Sequence, residues 1–271
     1  MNIACDIHIH TTFSDGHNTP TEVVQMARDK GLTVMAVTDH DTVAGLEEGV
    51  SAAQKAGITC LAGIEFSTYL KEEVHVLGYN VPYRDMQFLD EVAKLQNLRR
   101  KRVLRVVEKL RHHGVKIEVG NELDSPSAGR SHVAELLVKQ GFVRSKAEAF
   151  DKYIGKGAPC YVDGMRVSPA DAVSLVRRFD GVAVLAHPFR MLQAKALPQI
   201  VEELTAAGLK GIEVYYPNYG QDVRANLKAI AKRFGLICTG GSDFHSGQYS
   251  TPIGGAGAYL DEKAQKVLLK E

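Results

Sequence analysis

Long apolar stretches are missing from this chain. No run of about 18 apolar residues occurs, so the sequence offers no membrane-spanning helix. The N-terminal region has no basic segment leading into an apolar stretch, so no secretory signal is read and a cytoplasmic setting is expected. Cysteine is sparse: Cys5, Cys60, Cys160 and Cys238 lie far apart and form no CxxC pair. Three of them fall in strand-like runs, where a thiol behaves as a small buried hydrophobe, and a reducing compartment is the natural setting. Neither sign of charge is in excess. A net charge of +1 supplies no global attraction for nucleic acid, which leaves only a local one. Two nucleotide-binding signatures are also absent. No GxGxxG follows a strand, and no GxxxxGK[ST] occurs, so dinucleotide redox and ATP-driven chemistry lack their usual cradles.

What is present is a regular rhythm. With 271 residues, 45% of them hydrophobic, the chain can bury one large core, or one core with a sizeable insertion. Apolar, β-branched runs at 3–9, 33–37, 58–64, 73–79, 181–186, 211–216 and 236–240 read as seven strands. Most are followed by helical patterns. Thr19-Pro20-Thr21-Glu22 is a capping box with proline at the first helical position, and that helix runs to Lys30 before Gly31. Ser168-Pro169-Ala170-Asp171 repeats the signal ahead of a helix ending near Phe179. Residues 193–207 and 221–234 read as further helices. Alternating strands and helices predict an α/β fold with a mainly parallel sheet, and seven strands favour closure into a barrel.

Residues 83–165 break the rhythm and read as a mostly helical inserted subdomain, a candidate substrate lid. The barrel is thereby left to 1–82 and 166–271. Leu95, Val103, Val106, Val107 and Leu110 supply the insertion's apolar positions. Arg99, Arg102, Arg105 and Lys109 share one helix face. That stripe reads either as a solvated surface or as a positive face over an anionic substrate.

Polar residues gather at the ends of the predicted strands. His8, His10, Asp39, His40, Glu65, His187, Asp243 and His245 lie at or just after such ends, and His75 lies within the fourth strand. In a βα barrel those ends converge on one rim. Six imidazoles and several carboxylates packed together need neutralising and ordering, which divalent metals accomplish. Nitrogen and oxygen donors suit manganese, zinc and iron, and without thiolates the set looks catalytic. His112 and His113, beside Gly114, read as an ordinary helix end.

Seven motifs in order carry a resemblance. They are HxH at 8–10, SDG at 14–16, TDHD at 38–41, GIE at 63–65, HVLGY at 75–79, AHP at 186–188 and SDFH at 242–245. Together they resemble the PHP (polymerase and histidinol phosphatase) superfamily of metal-dependent phosphoesterases. Within it, the match is to the bacterial stand-alone branch that includes nucleotide phosphatases and a 5′-to-3′ exoribonuclease. The resemblance implies a distorted (β/α)7 barrel and two or three divalent metal ions. Carried over by position, His8, His10, Glu65 and Asp243 hold the first metal. Glu65 bridges to a second, completed by His75 and His187, and Asp15, His40 and His245 hold the third. Several family members carry histidine where this chain has Asp15. Asp39 and Glu213 are expected to orient the imidazoles from behind. The run Gly129-Arg130-Ser131-His132 resembles one found near bound phosphate in related proteins, so Arg130 and His132 are expected to bind substrate, and Arg190, just beyond His187-Pro188, is a further candidate.

The expected activity is hydrolysis of nucleotide phosphate esters, a 3′,5′-nucleoside bisphosphate or a nucleoside 5′-monophosphate, by metal-activated water. Alternatives are 5′-to-3′ degradation of short RNA, histidinol phosphate hydrolysis, and a non-catalytic metal- or nucleotide-binding role. The expected partner is a small nucleotide or a short RNA, with no membrane.

Overall fold

The β-branched runs form one mixed sheet in the computed structural model, which describes residues 1–192, 194–247 and 251–270. Its strands are β1 (Ile3–Asp6), β2 (Val34–Val37), β3 (Thr59–Leu70), β4 (Glu72–Tyr79), β5 (Val182–Leu185), β6 (Gly211–Tyr215), β7 (Ile237–Gly240) and β8 (Tyr259–Leu260). They lie in the order β7-β6-β5-β4-β3-β2-β1-β8. Strands β2, β5 and β6 are buried at every position, as expected of strands covered on both faces.

Three features differ from the expectation. The sheet has an eighth strand, two residues long and too short to show in an apolar pattern, which pairs antiparallel with β1. Strand β4 runs antiparallel to both β3 and β5, because β3 and β4 form a hairpin turned at Lys71 with no helix between them. Finally, β3 does not end at Glu65. Phe66, Ser67, Thr68 and Tyr69 suit a pleated surface and carry the strand on to Leu70, so Glu65 lies inside it.

Across the open side the sheet nearly closes. Beyond the paired part of β1 and β7, the Ile7 amide donates to Gly240 O at 3.4 Å and the His10 amide to Phe244 O at 2.9 Å. This seam needs Gly241, where a Cβ would lie 2.5 Å from both the Cβ and the backbone N of His8. The buried carboxylate of Asp6 fastens it, accepting from Ser242 N at 2.9 Å, Gly254 N at 2.7 Å and His8 N at 3.4 Å. Inside the barrel Tyr79 is fully buried and satisfies its hydroxyl on Ile7 O at 2.8 Å.

The helices are α1 (Pro20–Asp29), α2 (Leu46–Ala56), α3 (Met86–His112), α4 (Arg130–Lys139), α5 (Lys146–Ala149), α6 (Pro169–Arg178), α7 (Pro188–Met191), α8 (Leu197–Ala207), α9 (Gln221–Phe234) and α10 (Glu262–Leu268). Both capping signals act as read. Thr19 and Glu22 form a reciprocal box at α1, and Ser168 accepts from Asp171 N at α6. Such caps contribute about 1 kcal/mol each. Helix α8 starts at Leu197, later than the expected 193, with Pro198 in its first turn; Gln193 lies outside the described residues.

The chain divides into two compact units, one of Met1–Leu89 with Val167–Glu271, the other Asp90–Arg166. The second unit has its own core, in which Val103, Val106 and Leu110 of α3 join Val133 and Leu137 of α4, Ile154 and Cys160. Between α3 and α4 this unit is irregular apart from a 3-10 turn at Asn121–Leu123. The basic stripe of α3 is not a uniformly solvated face. Arg105 and Lys109 are exposed, but Arg99 and Arg102 are buried. Arg99 Nε donates to Ser127 O and Ala128 O, satisfying two loop carbonyls ahead of α4.

Candidate metal centre

Ile7 and Ile9, just past β1, are fully buried hydrophobes, and His8 and His10 alternate with them. From that start the barrel assembles a dense set of donors. His8, His10, Glu65 and Asp243 place one ligand atom each within 4.8 Å of one another, and so do His10, Asp15, His40 and His245, and His40, Glu65 and His75. His187, the remaining expected ligand, brings Nε2 to 3.0 Å from Glu65 Oε1. All nine residues read as metal ligands are therefore gathered in one place.

Glu65 sits at the junction. Its Oε1 lies 2.9 Å from His75 Nδ1 and 3.0 Å from His187 Nε2; its Oε2 lies 3.0 Å from His40 Nδ1 and 3.3 Å from His10 Nε2. Asp243 Oδ1 is 3.1 Å from His10 Nε2 and 3.4 Å from His8 Nε2. Two donors each about 2.0–2.1 Å from a shared ion are separated by roughly 3–3.4 Å, the edge of a coordination polyhedron. The observed separations have that size. Moreover, His8 Nε2, His10 Nε2, Asp15 Oδ1, His40 Nδ1 and Glu65 Oε2 are buried with no hydrogen-bond partner. Buried polar atoms without partners are costly, and multiple divalent ions satisfy these together.

Residues behind the donors fix which nitrogen each imidazole presents. The Nδ1–H of His8 donates to Glu213 Oε1 at 3.0 Å, turning Nε2 toward Glu65 and Asp243. His245 Nδ1–H donates to Asp243 O at 2.8 Å, leaving Nε2 facing Asp15 Oδ1 at 3.3 Å. Glu73 Oε1 stands 3.4 Å from His75 Nε2, on the side away from Glu65. Asp39 is placed differently from expectation. It accepts from Thr11 N at 2.7 Å, Thr11 Oγ1 at 2.6 Å and Ser14 Oγ at 2.5 Å, and Ser14 Oγ lies 3.5 Å from His10 Nδ1. Its link to an imidazole thus runs through Ser14.

Three of these supporting residues went unread in the sequence. Glu73 had a usable signal, since it lies two positions before His75 on one strand and so shares its face. Ser14 falls within the SDG motif. Tyr216, at the end of β6, donates to Asp243 Oδ2 at 2.7 Å.

Protons reveal how crowded the charges are. Burial opposes the charged form of His10, yet the carboxylates of Asp243 and Glu65 outweigh it and lift the imidazole to about 10. His75 is lifted to about 9, burial again being overcome by Glu65 and then Glu73. His8 is raised well above its ordinary value against burial, chiefly by Glu213 and Glu65. At His40 burial prevails over Glu65 and Asp15, and the imidazole falls to about 4. Burial works to raise Glu65, Asp243 and Asp15, but neighbouring imidazoles hold all three well below the usual carboxylate range. Without metal, protons supply the positive charge these carboxylates require.

The expected substrate residues belong to different units of the chain. Arg190 belongs to this cluster, its Nη1 donating to Asp243 Oδ2 at 2.7 Å. Arg130 and His132 belong to the second unit, in the first turn of α4. Arg130 lies 5.5 Å from the Phe150 ring centroid and 5.4 Å from that of Tyr161, and His132 Nδ1 accepts from Gly129 N.

A nearly closed barrel with a buried histidine and carboxylate cluster defines a metal-dependent hydrolase. The PHP domain family matches residues 6–236, and the chain belongs to that family of metal-dependent phosphoesterases. It is 32% identical over 244 residues to a 5′-3′ exoribonuclease of Haemophilus influenzae, covering 89% of each chain. To a 3′,5′-nucleoside bisphosphate phosphatase of Chromobacterium violaceum it is 33% identical over 254 residues, covering 89% of this chain and 87% of the other. A solved structure of an amidohydrolase from Chromobacterium violaceum with bound sulfate matches with a TM-score of 0.83 at 30% identity, covering 95% of this chain and 91% of that one.

Proposed function

We propose that the protein hydrolyses phosphate esters of small nucleotides, a 3′,5′-nucleoside bisphosphate or a nucleoside 5′-monophosphate, using two or three ions of manganese, zinc or iron. One observation carries the reading: the two oxygens of Glu65 face different sets of imidazoles, His8, His75 and His187 on Oε1 and His10 and His40 on Oε2, within one buried donor set. In this reading His8, His10, Glu65 and Asp243 hold one ion, Glu65, His75 and His187 a second, and Asp15, His40 and His245 a third. Such ions supply charge neutralisation and a hydroxide nucleophile near neutral pH.

The chain's own residues do the rest. Glu213 and the Asp243 carbonyl keep the donor nitrogens of His8 and His245 turned inward. His8 and Glu65 are fully buried while the His245 side chain is 28% exposed, so substrate approaches from the His245 side. The second unit, by itself, carries a candidate phosphate-binding group. Arg102 is buried with Nε and Nη1 unpartnered, and the Arg99 guanidinium is pressed against Gly129, where a Cβ would lie 2.4 Å from Nη2. In this reading Arg99, against Gly129, and Arg130, in the first turn of α4, add positive charge where a phosphate would sit at that helix N-terminus. The free cysteines fit a reducing cytoplasm, and among the described residues no helix is long and apolar enough to cross a membrane.

A second reading, stepwise 5′-to-3′ hydrolysis of short RNA, is favoured by the similarity to the Haemophilus influenzae enzyme. One comparison separates the two. Rates with manganese are measured on adenosine 3′,5′-bisphosphate, adenosine 5′-monophosphate, histidinol phosphate and a 5′-phosphorylated oligoribonucleotide. Fastest turnover of a nucleotide supports the proposal. Fastest release of mononucleotides from the oligonucleotide supports the second reading, and dominant turnover of histidinol phosphate overturns both.

A further inference from the structure

Asp243 presents its two oxygens to different surroundings. Oδ1 faces His8 Nε2 and His10 Nε2. Oδ2 is engaged from behind by two donors, Tyr216 OH at 2.7 Å and Arg190 Nη1 at 2.7 Å, and Arg190 Nη1 also reaches Tyr216 OH at 3.0 Å. The backbone does not hold Asp243 in place by default, since its φ of 52° is one that non-glycine residues rarely adopt.

Both donors are themselves anchored. Tyr216 is buried, with its ring centroid 5.4 Å from that of His187 and 5.1 Å from that of Tyr219. The Tyr219 hydroxyl in turn accepts from Phe189 N at 2.9 Å, tying down the short helix α7 that carries Arg190. Phe189 and Tyr219 also meet ring against ring at 6.3 Å.

We infer that Arg190 and Tyr216 are positioning residues for Asp243, occupying Oδ2 so that only Oδ1 is offered to the His8–His10–Glu65 donor set. This reassigns Arg190, whose place just beyond His187-Pro188 suggests substrate binding, because its Nη1 is committed to a carboxylate and a phenol. The chemical consequence is a one-oxygen ligand. A carboxylate free to chelate with both oxygens would take up a second coordination position that hydrolysis needs for water or phosphate. The inference rests on the reading of Asp243 as a metal ligand, and its test is read in metal affinity as well as in rate.

The experiment titrates manganese into metal-stripped parent protein, Arg190→Ala, Arg190→Lys, Tyr216→Phe, the Arg190→Ala/Tyr216→Phe double variant and Asp243→Ala. It then measures kcat and KM on a generic phosphate ester at saturating manganese, with thermal melts as a folding control. Arg190→Ala and Tyr216→Phe should each weaken manganese binding at one site by about 10–100-fold. Their combined effect should be smaller than the product of the two, because both act on one oxygen. Arg190→Lys should recover part of the loss, and KM at saturating manganese should stay near the parent value. Should Arg190→Ala fail to fold, Tyr216→Phe, which removes a single oxygen, carries the test alone. Parent-like manganese affinity with a raised KM in Arg190→Ala would overturn the inference and return that residue to the substrate. Parent-like affinity in both single variants, with binding lost in Asp243→Ala, would refute positioning while leaving Asp243 a ligand. Parent-like affinity in Asp243→Ala itself would remove the ligand reading as well.

Discussion

Glu213 receives the backbone N–H of His187 on Oε2 at 2.8 Å while Oε1 takes the ring N–H of His8 at 3.0 Å. One buried carboxylate therefore sets a strand-end backbone, where His187 has a φ of 24°, and an imidazole delivered by a distant strand. Glu213→Gln keeps the size but can accept on only one of the two atoms, and its amide NH2 faces a donor. Metal affinity should fall by about 10–100-fold with a smaller change in melting temperature. Chelator-competition titrations check this, and unchanged affinity would exclude an orienting role.

Glu65→Gln should do greater harm than Asp15→Asn. Glu65 faces five imidazoles across its two oxygens, whereas Asp15 belongs to one donor group. The expected loss in kcat/KM is more than roughly 100-fold, beyond what removing an outer supporting group costs. Metal content per chain should drop in parallel. Equal metal content and equal rates in the two variants would show that Glu65 is not shared.

The metal-free protein should respond to pH in a definite direction. Raised histidines contribute stability that is full below about 6.5 and fades as pH climbs through about 9 for His75 and about 10 for His10. Lowered Glu65, Asp243 and Asp15 contribute above the usual carboxylate range and lose that contribution as pH falls through their lowered values. Metal-stripped protein should thus melt at progressively lower temperature above about pH 9, and loaded protein less so. Loading near neutral pH should also release protons, because ions replace them on His10 and His75. Calorimetry in buffers of different ionisation enthalpy measures that release; none detected would contradict the charge pattern.

Much of this site can be read from the chain because chemistry and strand grammar coincide. His8, Asp39, His40, His187 and Asp243 lie at or just after the ends of apolar runs, so the position of each on the rim follows from its run. Glu65 is different: its run continues, and only the hairpin with β4 explains how a mid-strand carboxylate meets His75. The buried state of Arg99 and Arg102 was hidden as well. Spacing shows that they share a face, but it cannot show that loop carbonyls and tertiary packing cover it. Tyr216 and Ser14 escaped notice because a hydroxyl gains its meaning from the carboxylate it meets in space.

Arg102→Met should raise stability. A buried guanidinium with unpartnered nitrogens is costly, and an apolar replacement of similar length should stabilise the protein by about 1–2 kcal/mol. Thermal melts check this, and a lowered melting temperature would show that the guanidinium is well satisfied where it lies.

Gly241→Ala should strike the seam itself. The added methyl would meet His8 at 2.5 Å, and overpacking of this kind costs about 1–3 kcal/mol. Metal content should fall with stability, since His8 and Asp243 lie on either side of the seam; a fully loaded, parent-like variant would show that the seam can yield.

The three amides held by Asp6 have a consequence in time. Asp6 and Ser242 are 236 residues apart in sequence, so their contact closes a loop nearly as long as the chain. Such non-local contacts carry a large closure entropy and slow folding. His8 and His10 cannot meet Asp243 until that closure has occurred, whatever local structure has already formed. Ion capture should therefore be a late event during refolding, and the moment at which manganese becomes bound would time the joining of the chain's two distant ends.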